Sequence, residues 1–188
     1  MNPTRTGHAV SRRALLGWLA AAAVPASARV TPTAPEVADG LPGARLQGSG
    51  RLSVFGLHVY DIRLWVGEGF SAEAFGQQPL AIEIEYARAL SGRKMAERSL
   101  DEMRRHATPS AAQRAEWLAA MQRAFPDVGP GERLTGVHRP GASVRFFHNG
   151  KLRAEIDDPA FGPSFFAIWL SPKTSEPKLR LALLGSAA

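Results

Sequence analysis

The stretch LSGRKMAERS, residues 90–99, follows an alternating apolar run and opens a segment of helical period. Strand-to-helix junctions are common places for reactive polar side chains. This one offers Arg93, Lys94 and Met95. Elsewhere, His58, His138 and His148 are candidate metal ligands by type. The last two lie on strands of one predicted hairpin, but the turn register does not set them opposite each other, so ordinary edge or surface histidines are expected and no metal. Ser91, Ser99 and Ser143 have no His and Asp partners at a recognisable spacing. Asp157-Asp158 precedes Pro159 and reads as a helix cap. No glycine-rich phosphate loop, zinc-protease motif or nucleophile elbow is present, and no cofactor is expected. The chain has no cysteine, which excludes disulfides, zinc–thiolate sites, iron–sulfur clusters and a lipid-modified cysteine.

Several elements must position these residues. FGLHVYDIRLWVG alternates, with Tyr60, Ile62, Leu64 and Val66 on one face and Asp61, Arg63 and Trp65 on the other. LAIEIEYA alternates again, with Leu80, Ile82, Ile84 and Tyr86 inward. SAEAFGQQ between them suits one or two helical turns behind Ser71. After Ser91, as cap, Ala96, Leu100, Met103 and Ala107 recur at helical spacing. Thr108-Pro109-Ser110 starts a second helix with a Trp117, Met121 and Ala124 stripe. A three-strand meander follows, turning at Pro140-Gly141 and Asn149-Gly150. With the second turn there, Phe147 faces Leu152 and His148 faces Lys151. Arg145, Phe147, Leu152 and Ala154 then share one face; Val144, Phe146 and Arg153 share the other. Both faces are partly apolar, so another layer or a ligand is expected over part of the second. Asp158-Pro159 opens a helix bearing Phe161, Phe165, Ile168 and Trp169, and a last helix after Ser175 buries Leu179 and Leu183. Strands, paired helices, a meander and two more helices predict an α+β domain: an antiparallel sheet with helices packed on one face.

The front of the chain reads as an address. Residues 1–28 hold Arg5, Arg12 and Arg13 and no acid, then the apolar run Ala14–Val24, then Ala26-Ser27-Ala28 in the form of a signal-peptidase site. SRRALL is similar to the twin-arginine export signal, with Leu15 where that signal prefers Phe. A periplasmic or otherwise exported protein is expected, with no transmembrane segment after cleavage. Cleavage after Ala28 removes three of the six net positive charges. The arginines of RKMAERSLDEMRR are interleaved with acids, so no nucleic-acid partner is expected. Residues 29–43, rich in Pro and Ala, read as a flexible leader, and 44–185 as the folded domain.

The frame GSGRLSVFGLHVYDIRLWV, LSGRKMAERSLDEMRR, FPDVGPGERLTGVH and VRFFHNGKLRAEIDDPAFGPSFFAIWLSPKTS resembles the chalcone isomerase-like family, in its bacterial exported branch, from about Leu46 to Leu184. The resemblance implies an open-faced β-sandwich with a ligand cleft between sheet and helices. Catalytic members of that family close a ring with an arginine, a threonine and a tyrosine. Here the tyrosine position falls at Met95, which has no proton to donate. The threonine position falls at Tyr60 and a family asparagine near Glu102. Arg51, in the loop before the first predicted strand, matches the arginine. Part of the family binds fatty acids without catalysis, its arginine holding the carboxylate. The resemblance thus implies a non-catalytic binder of a small apolar or aromatic carboxylate, with Arg51, Tyr60 and Met95 at the mouth of an apolar cleft. Two alternatives remain open: an intramolecular lyase with a rearranged site, and an envelope partner docking through RKMAERSLDEMRR.

Overall fold

The computed structural model describes residue 1 and residues 32–185. Apart from Met1, the expected signal peptide lies outside the described residues. The two clean alternating runs form the centre of a single antiparallel sheet in the order β1 (Arg45–Val54), β2 (Leu57–Val66), β3 (Leu80–Tyr86), β4 (Arg133–Arg139), β5 (Ser143–His148) and β6 (Lys151–Ile156). Register follows from alternation: Ile62 pairs with Ile84, and Leu64 with Ile82, so all four present one face. Above that face lie α2 (Gly92–Met103), α3 (Ala111–Ala124), α4 (Phe161–Leu170) and α5 (Pro177–Leu183). Between the layers Phe125, Phe146, Phe161, Phe165 and Phe166 are buried together, with Phe161 and Phe165 stacked 5.4 Å apart. No described helix is long and apolar enough to cross a membrane.

Three features differ from the sequence expectation. The first is β1, where a loop holding Arg51 was expected. Its residues RLQGSGRLSV are polar and glycine-rich, a composition that weakens a strand signal. The glycines serve the fold: a Cβ on Gly48 would collide with the backbone carbonyls of Ala182 and Leu183, and one on Gly50 would sit 2.5 Å from Leu179 Cδ1. The strand trades side chains for close approach of α5.

The second is the other face of the sheet. Pro35–Gly40, within the stretch read as a flexible leader, is helix α1. Its Val37 is fully buried with Trp65, Ala81, Val137 and Phe147. The second apolar face is therefore covered by the chain's own N-terminal segment. Six residues cannot display a helical period, which hid this helix in the sequence. Glu36, also buried, accepts hydrogen bonds from Arg133 Nη2 at 2.9 Å and Thr135 Oγ1 at 2.9 Å. Glu83, on the same face, accepts from Trp65 Nε1 at 3.0 Å and Arg63 Nη1 at 2.8 Å.

The third is a bulge. Phe147 pairs with Leu152 and His148 with Lys151, as the turn predicts, but Phe146 pairs with Ala154. Arg153 is the extra residue, so Ala154 joins the face of Phe146 instead of that of Phe147. His138 pairs with Val144 and His148 with Leu134, so the two histidines are not opposite each other.

Helix ends differ in detail. Ser91 occupies the N-cap position of α2 without a side-chain cap bond. Asp127 Oδ1 instead accepts the Gly92 N–H at 2.8 Å, from 35 residues further on. A Cβ on Gly92 would collide with the carbonyl oxygen of Phe125, so the junction is clamped to the end of α3. Asp158 lies before the start of α4 at Phe161 and accepts from Trp117 Nε1 at 2.7 Å.

Candidate functional site

Tyr60 lies on β2, facing the helices. Leu52 of β1 and Tyr86 of β3 flank it in register. The two tyrosine rings meet edge to face, 6.2 Å between centroids. Trp169, in the last turn of α4, donates its Nε1–H to Tyr60 Oη at 3.1 Å. A buried indole N–H needs an acceptor, and this phenol supplies it. Burial pushes the Tyr60 phenol up to about 12, against the opposing pull of the Trp169 hydrogen bond; Glu102 and Glu176 add to the rise and Arg98 opposes it. Burial raises the Tyr86 phenol as well. At neutral pH Tyr60 therefore keeps its proton. Its oxygen already accepts from Trp169, and its O–H is left as a donor.

Met95, in the first turn of α2, packs against the same cluster together with Leu52, Leu90 and Leu100. All four are partly exposed, and Leu52 is the cross-strand neighbour of Tyr60. Charge is gathered nearby. Glu102 is 5% exposed and pairs with Arg98 Nη2 at 2.5 Å and Arg105 Nε at 3.6 Å. Arg98 lies mostly in solvent. Around Tyr60 the layer thus offers a protonated phenol, Leu52 beside it in register, and the charges of Glu102, Glu176 and Arg98 acting on it.

Arg51 is not part of it. Arg51 pairs in register with Asp61, the neighbour of Tyr60 in the chain, so strand alternation puts Arg51 and Tyr60 on opposite faces. Its guanidinium accepts nothing and donates to Asp61, Nε to Oδ1 at 2.8 Å and Nη2 to Oδ2 at 3.4 Å. Arg51 holds the Asp61 carboxyl below the usual carboxylate range, with a further contribution from His58. Arg51, Asp61, Arg63, Ser49, Gly50 and Ile62 line an open hollow of about 560 Å³ at the β1–β2 edge of the sheet. The expectation of Arg51 and Tyr60 at one cleft mouth fails for this geometric reason. Tyr60 and Met95 each pack against the cluster between sheet and helices, and the charge of Arg98 acts on the Tyr60 phenol. Sequence reasoning missed Arg98 and Trp169. Trp169 read as core load, and only its need for a hydrogen-bond acceptor could have flagged it.

An open antiparallel sheet carrying helices, with a tyrosine-centred corner between the layers, defines the class of fold. The chain belongs to the chalcone isomerase-like family, whose model matches residues 41–185. It is 28% identical over 128 residues to an uncharacterized protein of Haemophilus influenzae, covering 68% of this chain; the match spans 61% of that protein's length. Among solved structures it is similar to the Arabidopsis thaliana fatty-acid binding protein AtFAP1, with a TM-score of 0.59 and 11% identity over 76% of this chain and 87% of that one. At that identity the likeness shows the fold.

Proposed function

We propose that the protein is an exported, non-catalytic binder of a small apolar carboxylate, with a fatty acid as the simplest ligand of that chemistry. The observation that carries this reading is the Trp169–Tyr60 hydrogen bond, which fixes the phenol and leaves its O–H free to donate. A carboxylate would accept from Tyr60 Oη and take its charge balance from Arg98 and Arg105, which share the single carboxylate of Glu102. The acyl chain would lie against Leu52, Met95 and Leu100. Met95 is unbranched and adaptable, suited to moving aside for it. The same residue argues against ring closure, because a thioether cannot donate a proton where catalytic relatives place a hydroxyl. The fatty-acid binding protein of similar fold lends support. Export rests on Arg12, Arg13, the apolar run Ala14–Val24 and the Ala26-Ser27-Ala28 site.

The test is native mass spectrometry of protein purified from its own host, with a chalcone cyclisation assay on the same material. A dissociable acyl carboxylate and no turnover are expected. Protein that carries no ligand and takes up no fatty acid contradicts the binder. Turnover abolished by Tyr60→Phe contradicts the absence of catalysis.

A further inference from the structure

Among the described residues, two two-residue hairpin turns share one geometry. In one, Asn149 and Gly150 adopt φ values of 49° and 80°; in the other, Phe55 and Gly56 adopt 51° and 76°. Asn is the residue that tolerates the left-handed region, and a bulky aromatic is disfavoured there. Phe55 is also 99% exposed, flanked by Val54 at 44% and Leu57 at 54%. Neither the turn nor the core explains a phenylalanine at this position. It sits in a strained backbone conformation and presents its whole ring to solvent.

Exposed cations follow the strand that flanks the hairpin. The chain leaving β3 runs along the base of the hairpin, where the Ala87 N–H donates to Val59 O at 2.9 Å. It then carries exposed Arg88, and Arg93 and Lys94 follow in the first turn of α2. Nearby acids are engaged: Asp61 with Arg51 and His58, Glu97 with Arg93, and Asp127 on the Gly92 N–H. Arg88 and Lys94 make no ion pair among the described residues.

We infer that the β1–β2 hairpin tip docks the protein onto an anionic lipid surface, with Phe55, Val54 and Leu57 entering the acyl boundary and Arg88 and Lys94 facing the headgroups. An exposed apolar tip with unpaired cations on the chain segment that follows its neighbouring strand matches such a surface in chemistry and charge. Charge also decides against a second copy of the chain, since two like-charged tips would repel.

The chain has no cysteine, so Ser53→Cys gives one labelling position beside the tip. The full chain carrying this substitution, labelled with a polarity-sensitive dye, is mixed with phosphatidylcholine vesicles with and without phosphatidylglycerol. A blue shift is expected with the anionic vesicles alone, weakening as salt rises. A dye on Arg123→Cys, in α3, should not shift. Association through the apolar run 14–24 would not single out the tip, so a shift at position 53 without one at position 123 separates the two. Adding Phe55→Asn preserves or improves the turn and should lower the partition by about tenfold or more. Adding Arg88→Gln with Lys94→Gln should lower it roughly tenfold. No shift at the tip, an unchanged shift with Phe55→Asn, or a concentration-dependent shift without vesicles would each overturn the inference, the last by showing a second copy. The vesicles contain no free fatty acid, so this result is independent of ligand binding.

Discussion

Removing the Glu36 carboxylate tests whether α1 is an integral layer of the fold. The Glu36 side chain is 1% exposed and anchors α1 to β4 through Arg133 and Thr135. Breaking a buried ion pair costs about 3–5 kcal/mol in general. Here Arg133 is 29% exposed and stays 3.9 Å from Glu83, so Glu36→Ala does not strand its charge. The ionic share then falls to about 1 kcal/mol, nearer that of an exposed pair. Thr135 is fully buried and its hydroxyl loses its partner, adding about 1–2 kcal/mol. Glu36 Oε2 has no hydrogen-bond partner among the described residues, so some desolvation is relieved. The expected net loss is about 2 kcal/mol, read as a lower urea midpoint at constant slope. Glu36→Ala with Thr135→Val should recover about 1 kcal/mol, because both polar partners are then gone. A Glu36→Ala protein within about 0.5 kcal/mol of the parent, the range of ordinary surface substitutions, would refute the view that α1 is locked to the sheet.

Further expectations follow from the same geometry. Met95→Leu should cost less than about 1.5 kcal/mol in denaturant unfolding, because the swap conserves volume; a larger loss would make Met95 more than packing. Tyr60 and Tyr86 are the two tyrosines of the chain, and burial raises both phenols. An acid whose folded pKa is raised gives stability that is complete below its unfolded value near 10 and lost as pH climbs toward about 12 for Tyr60. Tyrosinate absorbance should therefore stay absent at pH 10 and appear together with unfolding; free titration of either tyrosine in folded protein would contradict the burial of these rings. Arg12→Lys with Arg13→Lys should leave the precursor unprocessed in cells; unchanged processing would point to the general secretory route.

Much of the layer architecture was legible because β2 and β3 each alternate over long runs with one face buried by helices. Asn149-Gly150 marked the last hairpin, whereas the Phe55-Gly56 turn of the first lay hidden inside the run read as strand. The edges were less legible. The signal of β1 is weakened by Gly48 and Gly50, whose missing side chains admit α5. Helix α1 is too short to show a period, and its anchor is a polar contact to residues about a hundred positions away. The site residues were named before their faces could be known. Tyr60 and Met95 were named from the family resemblance, with alternation giving Tyr60 its face, but without β1 the face of Arg51 could not be assigned. Once Arg51 pairs with Asp61, alternation alone separates it from Tyr60.

The central claim is that Tyr60, held by Trp169, donates a hydrogen bond to the carboxylate of an apolar ligand. Calorimetric titration of palmitate and hexadecanol into the parent and into Tyr60→Phe tests this most directly. The two ligands share one chain and differ at the head. The account predicts that the parent prefers palmitate and that Tyr60→Phe loses about tenfold or more of that preference, as expected for a hydrogen bond to a charged group. Hexadecanol binding should change little. Equal affinity of the parent for both ligands, or an undiminished palmitate preference in Tyr60→Phe, would contradict it.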